Sequence, residues 1–259
     1  MLNAVHGPTL LISLALSSAI AFGQASTAAP AFDVASVKPC QHVVGPDYNN
    51  QLIYSPTEFK ARNVTMKRLL AEAYLLQVNQ VTGPSWIDQN EYDIDARAAG
   101  GATREQMALM LRRLVRERFN LKQHSEMREM RVYELGVDQA GPKIRPFKDG
   151  EAVQTGAGFH FHGDLRQFAD FLAVQLSIPA TDNPAEPVRA STSLIPVVDK
   201  TGLAGVFDFA VDVHPELGTD GFTTWRRALQ DQLGLRIESR KESVAVLVID
   251  DARRIPTEN

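Results

Sequence analysis

The sequence predicts an α+β fold of two similar β-α-β-α-β-β halves, with helices packed on mostly antiparallel sheets. Three observations carry this. Short alternating segments are interleaved with segments whose apolar residues recur at helical spacing. Turn signals such as Gly83-Pro84 separate them. The order of elements then starts again near residue 159.

Phe32 to Val37 reads as a short strand closed by Pro39, and Glu58 to Ala61 as another. Met66, Leu69, Leu70, Ala73 and Tyr74 mark a helix that Asn63 or Thr65 can cap. Tyr92 to Ala96 alternates with period two, as a strand does. Thr103-Arg104-Glu105-Gln106 is a capping box, because the Thr and Gln side chains can satisfy each other's backbone N–H groups. It opens a helix with Met107, Met110, Leu111, Leu114 and Val115 on its apolar face. Asn120 to Glu126 and Arg131 to Val137 are predicted to form a hairpin. After a Gly-, Pro- and Lys-rich stretch, Phe159 to His162 reads as a strand. Leu165, Phe168, Ala169, Leu172 and Leu176 form a helix capped by Asp164. Pro179 to Pro196 is a loop, and Val206 to Val213 a strand. Thr223 to Leu233 is a helix with Trp225, Ala228, Leu229 and Leu233 inward. Leu235 to Ser239 and Ser243 to Ile249 close as a second hairpin.

The halves repeat one another. Tyr92-Asp93-Ile94-Asp95 matches Phe207-Asp208-Phe209-Ala210, and Phe119-Asn120-Leu121-Lys122 matches Leu233-Gly234-Leu235-Arg236. The offsets are 99 for Met66 and Leu165, 115 for Tyr92 and Phe207, and 114 for Phe119 and Leu233. The predicted organisation is a signal peptide over 1–25, a first half over 32–138, a linker or loop over 139–158, a second half over 159–250, and a tail over 251–259.

The signal peptide is read from the apolar run Leu10 to Phe22, whose 13 residues fall short of the roughly 20 that span a bilayer. Small residues at Ala21, Gly23 and Ala25 suit a cleavage site. Export places the protein in the periplasm or outside the cell. No other segment approaches transmembrane length. With 27 basic and 31 acidic residues the net charge is −4, which argues against a nucleic-acid surface. A single cysteine, Cys40, permits no intramolecular disulfide, so stability rests on the core.

Several separate motifs carry a family resemblance. They are Phe32-Asp33-Val34-Ala35-Ser36-Val37-Lys38-Pro39, Asn63-Val64-Thr65-Met66, Gly83-Pro84-Ser85-Trp86-Ile87, Arg116 to Lys122, Val198-Asp199-Lys200-Thr201-Gly202-Leu203 and Pro256-Thr257-Glu258-Asn259. Together the chain resembles the acidobacterial soil-associated secreted protein family, a domain family of unknown function. The resemblance implies an exported protein of a soil bacterium. Related domains also occur as extracytoplasmic partners of membrane-bound peptidase sensors of the antibiotic-response type. The family brings no established catalytic residues. Asn63 to Leu70 is also similar to the small β-α-β modules of secretin and TonB-receptor signalling domains, which recognise other proteins.

The sequence assigns no catalytic, cofactor-binding or metal-binding residue and implies no cofactor. Lys200-Thr201-Gly202 echoes the β-lactamase triplet, but no serine is followed three residues later by lysine, and Ser-Asp-Asn is absent. Asp199 to Gly202 therefore reads as a turn. His160 and His162 share one face of a strand, and Asp164, His124 or His214 could add a third zinc ligand; surface decoration is the reading kept. Asp93/Asp95 and Asp208/Asp212 are pairs of acids in strands, read as a solvated face. Trp86 and Trp225 could stack on a sugar, with Trp225 expected in the core. No Cys-His signature surrounds Cys40. The functional expectation is a non-catalytic binding or sensory module with a protein or envelope partner, such as a membrane-bound sensor, recognised along an unpaired hairpin edge, on the strand ending at Ile249 or the one ending at Val137. A secreted hydrolase with its site between the halves is the alternative.

Overall fold

In the computed structural model, which describes residues 30–40, 51–148, 150–152, 158–180, 194–214 and 216–257, the chain folds as three sheets and four α-helices. The predicted signal peptide and much of the Pro179–Pro196 loop lie outside the described residues. The strands are β1 (Val34–Pro39), β2 (Gln51–Ser55), β3 (Glu58–Thr65), β4 (Val81–Thr82), β5 (Glu91–Arg97), β6 (Lys122–Val137), β7 (Phe159–Gly163), β8 (Val197–Asp199), β9 (Phe207–Val211) and β10 (Leu235–Asp251). The helices are α1 (Met66–Tyr74), α2 (Arg104–Phe119), α3 (Leu165–Gln175) and α4 (Gly221–Ala228). A π-helical turn, Leu229–Leu233, continues α4. The result is α+β and mostly antiparallel.

Local chemistry sets the helix starts. Thr65, Thr103, Asp164 and Asp220 are the N-caps, each accepting from a backbone N–H three residues on. The first three are caps that the sequence predicts; Asp220 starts α4 slightly before the expected Thr223. At Thr103 and Asp164 a glutamine returns the bond, completing the capping box. The apolar residues at helical spacing are buried: Met107, Leu111, Leu114 and Val115 on α2, and Leu165, Phe168, Ala169 and Leu172 on α3.

The strand order within each half differs from the predicted one. Neither hairpin exists. Lys122 to Val137 is one strand of 16 residues and Leu235 to Asp251 one of 17. The polar stretches read as turns, Met127–Met130 and Arg240–Glu242, are paired residue for residue instead. They contain neither Gly nor Pro, so nothing in the backbone forces a reversal. Each half also contains a very short strand, β4 or β8, that two or three residues could not announce as a pattern. Each repeat therefore runs β-α-β-β-α-β: β3-α1-β4-β5-α2-β6, then β7-α3-β8-β9-α4-β10.

The pairings repeat with the elements. β3 pairs β5 antiparallel, and β7 pairs β9 antiparallel. In the central sheet, ordered β4-β10-β6-β8, the two long strands pair antiparallel with each other. β4 of the first repeat lies parallel to β10 of the second, and β8 of the second lies parallel to β6 of the first. The repeats thus exchange strands about an approximate two-fold axis between β6 and β10. β1 and β2 extend the first repeat's own sheet, ordered β1-β5-β3-β2.

Two cores follow. The first contains Phe59, Leu69, Ile87, Tyr92, Ile94, Leu111 and Phe119, and takes in Leu247 and Ile249 from the far end of β10. The second contains Phe168, Leu172, Phe207, Phe209, Trp225 and Leu229, with Tyr133 and Leu135 from β6 and Leu235 and Ile237 from β10. The described part of 139–158 is tied to this second core. Lys143 N–H donates to Leu233 O at 2.9 Å, and Phe147 N–H to Val206 O at 2.7 Å.

Candidate functional site

The shared sheet presents backbone groups beside which no described strand lies. Beside β8, Tyr133 N–H donates to Pro196 O at 2.7 Å, and Leu135 O accepts from Lys200 N–H at 2.8 Å. Odd-numbered residues of β6 therefore aim their backbone groups away from β10, because successive residues of a strand bond to opposite sides. The ladder with β10 is regular over this whole stretch. β8 covers only Tyr133 to Leu135. Upstream, Gln123, Ser125, Met127, Glu129 and Arg131 point N–H and C=O outward with no described strand beside them.

The two-fold mate of this edge is on β10. There β4 covers only Leu247 and Val248, and the Gln80 side chain donates to Ala245 O at 2.9 Å. Ser239, Lys241 and Ser243 continue the same parity and are exposed, with no described strand against them. Both edges carry alternating charge. Glu126 is ion-paired to Arg128, Glu238 to Arg236 and Arg240, and Lys200 to Glu242. Charged side chains keep a free edge from pairing with apolar strands indiscriminately. One large apolar side chain interrupts the β6 edge: Met127, which is 64% exposed.

A second candidate lies where α1 of one repeat meets α3 of the other. Glu72 accepts from Tyr54 Oη at 2.8 Å and from Arg104 Nη2 at 3.1 Å. Arg166 pairs with Asp170 Oδ2 at 3.3 Å, while Asp170 Oδ1 has no described partner. Burial pushes the Asp170 carboxyl up to about 6, with Arg166 opposing the rise and Glu72 adding to it. A cleft of 330 Å³ beside them is lined by Arg68, Glu72, Leu76, Asn79, Asp170 and Leu194. The sequence names the strands ending at Val137 and Ile249, now β6 and β10, as candidate recognition edges, but gives no sign of this cluster. The carboxylates and arginines that meet here are far apart along the chain, and no motif joins them.

The residues weighed in the sequence do not converge. His162 Nδ1 lies 3.2 Å from Asp208 and His124 Nδ1 2.9 Å from Asp250, while His214 Nε2 lies 2.9 Å from Asp212. Asp164 is occupied as the cap of α3. Among the described residues no three His, Cys, Asp or Glu side chains are grouped to hold a metal. Asp199 Oδ1 accepts from Thr201 N–H at 2.9 Å and from its hydroxyl at 2.7 Å, the bonding of a turn, and Gly202 follows at φ 68°. Asp93 accepts from Asn63 N–H at 2.9 Å, holding a bulge in β3, and Asp95 pairs with Arg62 at 2.6 Å. The Cys40 thiol donates to Asn63 Oδ1 at 2.6 Å. Burial, then Asp93 and Glu91, push its pKa up, the reverse of what an activated thiolate needs. Trp225 is core, and Trp86 is buried beneath Arg254.

No helix of the described residues is long and apolar enough to cross a membrane. No curated protein and no solved structure matches the chain. A protein family of unknown function, DUF3738, matches residues 67–252. That match takes in both repeats from α1 to the end of β10, well over half of the sequence, and the chain belongs to the DUF3738 family.

Proposed function

We propose that this is an exported, non-catalytic binding module that docks an extended segment of another protein along the free edges of its shared sheet. One observation carries the reading: five alternate residues of β6, from Gln123 to Arg131, present backbone groups in one row that no described strand covers. Such a row accepts a strand through main-chain hydrogen bonds, with side-chain pairing setting specificity. The whole of this stretch is paired with β10, so the edge is already formed before a partner arrives. Export is supported by the apolar run Leu10–Phe22 and the small residues after it. The family resemblance supports a soil-bacterial origin and a membrane-bound sensor as the partner.

Peptides selected from a random display library against the pure protein test the docking. They are expected to bind the native chain and to lose binding to Met127→Pro, with the fold unchanged by circular dichroism. Proline at this position deletes only an outward N–H, a substitution that edge strands tolerate. Selected peptides that ignore both Met127→Pro and the matching change on the β10 edge, Lys241→Pro, would contradict the reading. Intact mass after export is expected to show cleavage between Gly23 and Ser26.

A second reading, a hydrolase acting between the repeats, draws on Asp170, whose carboxyl, held at about 6, sits near the range of a general acid. Turnover of ester, amide, β-lactam or glycoside substrates that is lost in Asp170→Asn would favour it.

A further inference from the structure

We infer that the β6 edge is built to receive a second copy of itself, giving a two-fold dimer whose axis passes through Met127. This rests on the docking reading above and names the occupant of one edge. Two β6 strands run antiparallel across such an axis. Because the odd-numbered residues face outward, hydrogen-bonded pairs must join odd residue to odd residue. Registers centred on any residue from Ser125 to Glu129 satisfy this, and the side chains discriminate among them.

Centred on Ser125, the register sets Arg128 opposite Lys122. Centred on Glu126, Arg128 or Glu129, it sets that charged residue opposite its own copy. All four put like charges face to face, which opposes pairing. Centred on Met127, the register sets Glu126 opposite Arg128 twice, Gln123 opposite Arg131 twice, and Ser125 opposite Glu129 twice. The Glu126–Arg128 pairs fall at the closely spaced, non-hydrogen-bonded positions, where side chains approach most nearly. Within one chain Glu126 and Arg128 already touch, so across the axis the four charges alternate around a square. Met127, 64% exposed in the single chain, meets Met127 of the copy at the centre, which gives the one large apolar side chain of the edge a partner. About ten main-chain hydrogen bonds would close the row. The union would join the two central sheets into one, leaving each β10 edge free for a different protein.

Charge reversal tests the register. Glu126→Arg leaves arginine at both 126 and 128, and Arg128→Glu leaves glutamate at both. Each variant alone would set like charges opposite at both close pairs. Mixed in equal amounts, the two variants restore opposite charge at every one of these positions. Sedimentation equilibrium is expected to show a concentration-dependent dimer for the native chain. The dissociation constant should rise about tenfold or more in each single variant. The mixture should recover association as a heterodimer, with circular dichroism confirming that both variants fold. A native chain that stays monomeric, a dimer indifferent to both reversals, or a mixture that does not re-associate would overturn the inference. If the chain is monomeric while selected peptides still need the Met127 N–H, the docking reading stands and the second copy is wrong. If no edge-directed peptide is found either, both fail.

Discussion

Gln77 shows how a single side chain holds the exchanged strands in place. It is a buried polar residue, 9% exposed, and its amide bonds both backbone groups of Val197, accepting from the N–H at 2.9 Å and donating to the carbonyl. It thereby behaves as one more strand beside β8 and joins the first repeat to the second. Gln77→Leu would leave that N–H and C=O buried without partners, so a loss of about 2–4 kcal/mol in urea unfolding is expected. Asp170 makes the opposite kind of contribution. Its carboxyl is held at about 6, above the roughly 3.9 of an unfolded chain, so the folded state keeps a proton that the unfolded state has released. Its contribution to stability is therefore fully present below about pH 4 and is lost as pH rises through about 6. With the side chain 31% exposed, the contribution is about 1–2 kcal/mol after allowing for solvent screening. Asp170→Asn is expected to flatten the pH dependence of the urea midpoint over this window relative to the native chain. An unchanged slope would show that the carboxyl is better solvated than its surroundings imply.

At the scale of elements, the ends of α2 and of the α4 continuation compare the two repeats directly. Asn120 and Gly234 occupy matching left-handed positions, at φ 46° and 65°, just before the long strands begin. Asn120→Ala is expected to cost about 1 kcal/mol, the ordinary penalty for that backbone region. Gly234→Ala should cost about 3 kcal/mol or more, because a Cβ there would lie 2.3 Å from Gly141 O. Equal losses in denaturant titration would mean that the 139–148 segment yields easily. The helices and most of their caps were legible in the sequence because capping and 3.6-residue spacing are local chemistry. β5, β7 and β9 were legible because alternation is local too. The long strands were misread because a polar stretch interrupts each: β10 crosses from one core to the other with apolar ends and a polar middle, and β6 is largely polar until Val132, which is also how a hairpin looks. The short strands β4 and β8 exist only because a long strand and Gln77 wait for them. The strands ending at Val137 and Ile249 were named as candidate edges, but how far each row stays open, and the Glu72–Asp170 cluster, depend on which elements meet and which strands end early, and that is a property of the assembled sheet.

For the whole molecule, the two repeats could not be separate domains, since each contributes to a core that the other completes. β10 carries Leu235 and Ile237 into the second core and Leu247 and Ile249 into the first, so the two cores are expected to unfold together. Among the described residues the same arrangement leaves both long strands with edges that no strand pairs, because β4 and β8 are too short to cover them. That openness is the central claim, and residue-resolved amide exchange of the monomeric chain reads it directly. Glu126, Arg128 and Met130 donate toward β10 and should exchange slowly, while Ser125, Met127 and Glu129 should exchange at rates near those of an unfolded peptide. Saturation with an edge-selected peptide should slow the second set to match the first. Uniform protection along β6 in the free monomer, or an odd-numbered set that stays fast with the peptide bound, would contradict it.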